Sequence, residues 1–274
     1  MSKISLVVSD VDGTLVTSNK MLTERNRAAV AALQKAGIGF SIMSSRPPFG
    51  LRMLVEPLAL RLPIGAFNGA VIAAPDLSIF EQSTLASNVA REAIAMLRSA
   101  SVGVWAFTAS HWLTEDPSGA YVDKEIATIR TQPTIVARLE DHLESAVKLV
   151  GVSRDFERLA SCELEMRRSL TDRATIARSQ SYYLDITPAG TDKGLGVMKL
   201  ARQLNVPADE IVTIGDMEND VPMFRNSGLS IAMGNATAEV KLTARAVTLS
   251  NEEDGVAHAI EQIILPRASG SRGT

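Results

Sequence analysis

Residues 5–16 read Ser5-Leu6-Val7-Val8-Ser9-Asp10-Val11-Asp12-Gly13-Thr14-Leu15-Val16. The continuous apolar run at its start predicts a short strand buried on both faces, and the polar, glycine-containing stretch after it predicts a tight turn. Thr23 then suits a helix N-cap, Ala29, Val30, Leu33 and Ala36 recur on one face, and Gly37 supplies a left-handed stop. A second buried strand follows, Gly39–Met43, ending at Ser44-Ser45-Arg46-Pro47-Pro48, where proline fits the first turn of another helix. Strand, helix, strand, helix predicts a parallel sheet with right-handed crossovers. Ligands on such sheets lie at the carboxyl ends of the strands, where both polar turns fall.

The alternation returns in the last third. A helix is expected over Asp192–Leu204, a strand over Ile211–Ile214, a polar turn from Gly215, and short strands at Leu229–Ala232 and Val247–Leu249. The middle differs in texture. A helix near Val89–Leu97, aromatic strands at Val102–Phe107 and Trp112–Thr114, and paired strand-like runs at Ala174–Ala177 and Ser181–Ile186 read as an inserted α+β domain over residues 84–186. The flanking segments 1–83 and 187–274 would form one discontinuous core. The end of the chain, 268–274, is polar.

Composition narrows the functional classes. The chain has 274 residues, about two domains at roughly 150 residues each. Twenty-eight basic and 31 acidic side chains, with no block of like charge, argue against a nucleic-acid or anionic-membrane surface. The single cysteine, Cys162, excludes an internal disulfide and cysteine-rich metal sites, and His111, His142 and His258 share no ligand spacing. The opening apolar run is too short for a signal segment and no stretch reaches the ~20 apolar residues of a membrane span, so a cytoplasmic location is expected.

Chemistry concentrates in two acidic turns. Asp10 and Asp12 stand two apart just past the first strand, and Gly215-Asp216-Met217-Glu218-Asn219-Asp220 follows the strand at Ile211. An Asp-x-Asp can merely cap a turn, and two acidic turns can be two separate helix starts. A calcium loop counted from Asp10 fails, because its glycine and glutamate positions hold Leu15 and Met21. If adjacent strands bring the turns together, each carboxylate pair at ~4 Å costs about 4 kcal/mol at an effective dielectric near 20. A hard divalent ion would relieve that repulsion, and an all-oxygen donor set favours Mg²⁺ over zinc or copper. A helix starting in the second turn would place Asp216 and Asp220 on one face. Ser44 offers a hydroxyl in a turn and Lys193 a cation at a helix start, both suited to phosphate.

In this order the motifs resemble the haloacid dehalogenase superfamily, and within it the Cof-type, sugar-phosphatase-like hydrolases. The matching stretches are Ser9–Val16, Ile42–Pro47, Phe67–Ala70, Leu184–Gly194, Ile214–Phe224 and Ala232–Ala236. The resemblance implies a doubly wound α/β core of Rossmann-like form with a large α+β cap inserted between the serine and lysine motifs. It implies a Mg²⁺-dependent phosphomonoesterase acting on a small phosphorylated metabolite through an aspartyl-phosphate. Asp10 would be the nucleophile and Asp12 the acid and base. Asp10, the Asp12 backbone carbonyl and Asp216 would hold the metal, with Asn219 and Asp220 in support, while Ser44 and Lys193 would bind phosphate. Arg46 and Asn68 are candidates for substrate contact. One departure stands out: the serine motif often reads Thr-Gly-Arg in the family, but here it is Ser44-Ser45-Arg46. A phosphomutase or phosphotransferase using the same intermediate is the nearest alternative, and a phospho-acceptor signalling module a more distant one. The cap, with Trp105, Trp112, Tyr121, Tyr182 and Tyr183, is expected to select the substrate. Neither the metabolite nor the oligomeric state is readable from the chain.

Overall fold

Five short strands form a wholly parallel sheet in the spatial order Ala246–Val247, Leu229–Ala232, Ile211–Gly215, Leu6–Ser9, Gly39–Ile42. The computed structural model in which they are seen describes residues 3–270, so residues 271–274 of the polar tail lie outside the described residues. Leu6, Val7 and Val8 are each fully buried, as expected of a strand covered on both faces. Helices Glu24–Lys35 and Lys193–Leu204 have side-chain N-caps. Thr23 accepts from the Asn26 amide and Asp192 from the Leu195 amide, each satisfying a donor that the first helical turn leaves free.

A six-stranded sheet is built from residues between 103 and 188. Its order is Ala174–Gln180, Tyr183–Pro188, Lys148–Val152, Gly103–Phe107, Trp112–Thr114, Thr134–Ile135. All its pairings are antiparallel except the last, and the Tyr183 strand runs two residues past the expected cap boundary at 186. Period-two alternation gives this sheet two different faces. Ala106, Leu149, Leu184 and Ile186 pack with helices Ser87–Ser99 and Phe156–Ser169. Trp105, Phe107, Val150 and Tyr183 turn the other way and join one apolar cluster with the parallel-sheet region. Phe67 meets Phe107 edge-on, with ring centroids 6.0 Å apart.

A small antiparallel sheet of Ile64–Ala66, Val71–Ala73 and Ile79–Gln82 was not anticipated. Its strands have three or four residues, too few to show a period among Pro63, Gly65 and Gly69. The expected strand at Val247–Leu249 is shifted to Ala246–Val247.

Candidate active site

The strand order places three polar turns side by side. Leu6–Ser9 lies between Ile211–Gly215 and Gly39–Ile42, with Ser9 paired to Ile214 on one side and Ile42 on the other. Asp10, Asp216 and Ser44 therefore all emerge at one end of the sheet. Gly13, at φ +84°, closes the first turn, and a Cβ there would come 2.4 Å from an Asp216 carboxylate oxygen. Only glycine lets the two acidic turns approach so closely.

Asp10, Asp216 and Asp220 are all buried, and each can offer a carboxylate oxygen within 4.8 Å of the others. Lys193, 2% exposed, donates to Asp10 Oδ1 and Asp220 Oδ1, each at 2.5 Å. Its place in the first turn of Lys193–Leu204 is unfavourable for a cation, and the two carboxylates offset this. Burial alone would depress the Lys193 ammonium, but Asp10 and Asp220 outweigh it and hold its pKa well above the ordinary lysine value. Burial pushes Asp10 well up despite Lys193, with Asp220 and Asp216 adding to the rise. Asp216 is raised to about 6, first by burial and then by Asp220, while the hydrogen bond from Thr14 opposes the rise. This is the electrostatic state of an oxygen-only pocket with surplus negative charge, and it fits a hard divalent cation.

Asp216 and Asp220 do not meet on a helical face. Asp216 precedes the short helical turn at Glu218–Asp220, and the Asp220 carboxylate folds back to accept from the Asp216 and Met217 amides at 2.8 and 2.9 Å. The closure of this loop requires a capping interaction, which i,i+4 spacing does not describe.

Asp12 has a separate environment. Arg46 grips it through Nε and Nη2, both at 2.7 Å, and Lys20 approaches at 2.6 Å. Burial opposes ionisation, but the Arg46 hydrogen bonds and the charges of Arg46 and Lys20 win and lower Asp12 to about 2. Two carboxylates two residues apart are thus driven in opposite directions, a pattern typical of sites that divide roles between acids.

The remaining anticipated residues are placed less directly. Ser44 is buried, and its hydroxyl accepts from the Arg46 amide at 3.2 Å. Asn219 is exposed and donates its amide to Asn68 at 3.3 Å, joining the two loops. Asn68 has φ +55°, so it also serves its own turn. Three contributors were not singled out from sequence. Thr14 Oγ1 donates to Asp216 at 2.8 Å, Asn235 Nδ2 reaches Gly13 O at 2.9 Å and Asp216 at 3.3 Å, and Lys20 reaches Asp12. Thr14 and Asn235 lie inside matching motifs and could have been found there. Lys20 sits in a turn with no distinguishing pattern.

A family model for haloacid dehalogenase-like hydrolases matches residues 7–260, and the chain belongs to that family. It is 27% identical to the Bacillus subtilis (strain 168) phosphatase YwpJ, over 95% of this chain and 100% of that protein. It is 28% identical to the same organism's 5-amino-6-(5-phospho-D-ribitylamino)uracil phosphatase YwtE, over 94% and 97%. A solved haloacid dehalogenase-like hydrolase from Bacteroides thetaiotaomicron superposes with a TM-score of 0.88 at 31% identity, covering 95% of this chain and all of that one. The chain is a phosphatase of this superfamily, a hydrolase acting on phosphorylated substrates, whose members use a divalent metal. No helix among the described residues is long and apolar enough to cross a membrane.

Proposed function

We propose that the protein is a Mg²⁺-dependent phosphomonoesterase hydrolysing a small phosphorylated metabolite through an aspartyl-phosphate, with residues 1–83 and 187–274 as catalytic core and 84–186 as cap. The observation that carries the reading is Asp10 at the carboxyl end of the middle strand, between Asp216 and Lys193, with Asp12 two residues beyond. Asp10, the Asp12 backbone carbonyl and Asp216 would hold the metal, while Asp220 fixes the loop and Asn219 ties it to Asn68. When bound, Mg²⁺ supplies the positive charge that lets an anionic carboxylate approach an anionic ester.

The chain's own groups divide the remaining work. The Asp10 carboxylate attacks phosphorus, forming one P–O bond as the ester P–O bond breaks. Asp12 gives a proton to the departing alkoxide, then takes one from the water that attacks phosphorus and frees Asp10. Lys193 neutralises charge beside Asp10, and Ser44 and its turn supply hydrogen bonds to phosphoryl oxygens. The structure holds Asp12 in its ionised state, the form needed for the water step. Its acid role requires the Arg46 and Lys20 contacts to loosen as substrate arrives.

The test combines a panel of phosphorylated metabolites, assayed with Mg²⁺ and with excess chelator, with borohydride reduction during turnover. Reduction of an acyl phosphate at Asp10 leaves homoserine at position 10, which mass spectrometry locates. Full activity in chelator would remove the metal, and an unmodified Asp10 during turnover would remove the covalent intermediate. Phosphate retained on a sugar, with none released, would make the protein a transferase.

A further inference from the structure

A cavity of about 480 Å³ opens above the catalytic turns. Asp12, Lys20, Arg46 and Asp216 line it from below. Trp105, Glu125, Lys148, Tyr182 and Tyr183 face it from the six-stranded sheet and the helix Val122–Ile129. A phosphoryl group on Asp10 leaves this space for whatever the phosphate is attached to.

Two residues on this face of the six-stranded sheet are out of character for a packing surface. Lys148 and Asp185 follow the same alternation as Val150 and Tyr183, so they occupy the face otherwise given to Trp105, Phe107 and Val150. Their ammonium and carboxylate are 2.6 Å apart, with side chains 9% and 4% exposed. Neither Asp185 carboxylate oxygen has a hydrogen-bond partner of good geometry among the described residues, so the contact with Lys148 is one of charge alone. Well-packed apolar residues would stabilise such a face as well or better, so a buried pair left this bare gains little for the fold. The Lys148 ammonium, with three donors, is paired with Asp185 by charge, and it lines the cavity. Glu125 also lines the cavity and accepts from the Tyr183 hydroxyl at 3.2 Å. Burial raises its carboxyl, and the charge of Lys148 partly offsets this, so the two groups sense one another.

We infer that Lys148 and Glu125 determine leaving-group specificity, Lys148 donating to and Glu125 accepting from the hydroxyls of an uncharged, polyhydroxylated group. This rests on the phosphomonoesterase reading above. Asp185 and Tyr183 are positioning residues that hold Lys148 and Glu125. The chemistry follows from the pairing of one cation with one anion. A hydroxyl donates and accepts at once and satisfies both, whereas a second phosphate would meet Glu125 with like charge and a plain alkyl chain would dry both groups while leaving their remaining hydrogen-bonding capacity unmet. Trp105 and Tyr183, edge to face at 5.3 Å, offer an apolar surface to the carbon skeleton.

The experiment compares kcat/KM for four esters on the Mg²⁺-loaded enzyme: a sugar-alcohol monophosphate, its bisphosphate, an unsubstituted alkyl phosphate of equal length, and an aryl phosphate. The wild-type protein is expected to favour the polyol monoester over the alkyl ester and the bisphosphate by at least tenfold. Glu125→Gln, and the double change Lys148→Met with Asp185→Leu, which removes the buried pair together, should each lower the polyol-to-aryl ratio by tenfold or more. Asp185→Asn should lower that ratio mainly through KM, a split that a general loss of folding does not produce. Glu92→Gln, in an ion pair with Arg173 on the outer surface, should leave the ratio unchanged. Thermal melting confirms that each variant is folded. A ratio unmoved by both the Glu125 and Lys148 changes, or a wild-type preference for the bisphosphate or the alkyl ester, overturns the inference. Absence of hydrolysis of all four esters, the aryl phosphate included, overturns the phosphomonoesterase reading beneath it.

Discussion

The floor and the roof of the same cavity are built on opposite principles. In the floor nearly every polar group has an assigned partner. Lys193 is shared by two carboxylates, Asp220 accepts from two amides, Asp216 is held by Thr14 and Asn235, and Asp12 is gripped by Arg46. The roof has aromatic faces and one bare ion pair, with Tyr182 stacked on Tyr121 at 4.4 Å and beneath the Lys124 ammonium. A network tied at every member tolerates little change, because losing one partner strands another in a low-dielectric site. Separate groups on a sheet face can be exchanged one at a time. The contrast fits the division proposed above, with reaction chemistry in the floor and substrate choice in the roof.

The strongest way to break that contrast is Asp10→Asn. Turnover should fall by more than the ~10²–10⁴-fold typical of losing one acid or base, on every ester alike, with the melting curve retained. A loss that varied among substrates would show that Asp10 also reads the leaving group. Next in size, Asp12→Asn should slow an alkyl ester by about 10²-fold and an aryl ester less, since a good leaving group needs little protonation in the first step. Equal effects on both would shift the role of Asp12 to the water step alone.

Smaller effects sharpen the comparison through pH. Arg46→Met removes most of the interaction that lowers Asp12 to about 2. A carboxylate depressed in the folded state contributes stability that is present above its unfolded pKa near 3.9 and is lost as pH falls through about 2. The variant should therefore be less stable by about 1–2 kcal/mol at pH 7, after solvent screening of this partly exposed group. Urea unfolding at pH 7 and pH 3 should show the gap narrowing at the lower pH. Equal gaps would mean that Arg46 stabilises by packing alone.

Asp216 has the opposite sign and the smallest expected effect. Its carboxyl is raised to about 6, so the proton it binds stabilises the folded protein below about 4, and that contribution is gone above about 6. In metal-free protein, Asp216→Asn should raise the melting temperature by a few degrees at pH 7.5 and by less at pH 4.5. It should also raise the Mg²⁺ concentration needed for activity. An Asp216→Asn melting curve that matches the parent at both pH values would show that the acidic cluster carries no repulsion to relieve.

Much of the floor was legible along the chain because its groups follow strands. Val7 and Val8 must be buried, a buried parallel strand must end in a polar turn, and such turns fall at the ligand-binding end of the sheet. Asp10, Ser44 and Asp216 are each reached by this route, and Lys193 by its position at a helix start. Local texture also set residues 84–186 apart, since Trp105, Trp112, Tyr121, Tyr182 and Tyr183 fall there while the strands on either side are uniformly apolar. What local order cannot carry is the identity of partners between segments distant in sequence. Arg46 reaches Asp12 across 34 positions, Thr14 reaches Asp216 across 202, and Lys193 lies between Asp10 and Asp220. Arg46 holds Asp12 ionised, whereas Lys193 and Thr14 only oppose the burial and carboxylate crowding that push Asp10 and Asp216 towards neutrality. Residue type and spacing set which groups could do the chemistry. Their protonation depends on burial and on charges a few ångströms away, and only the tertiary packing brings those within reach.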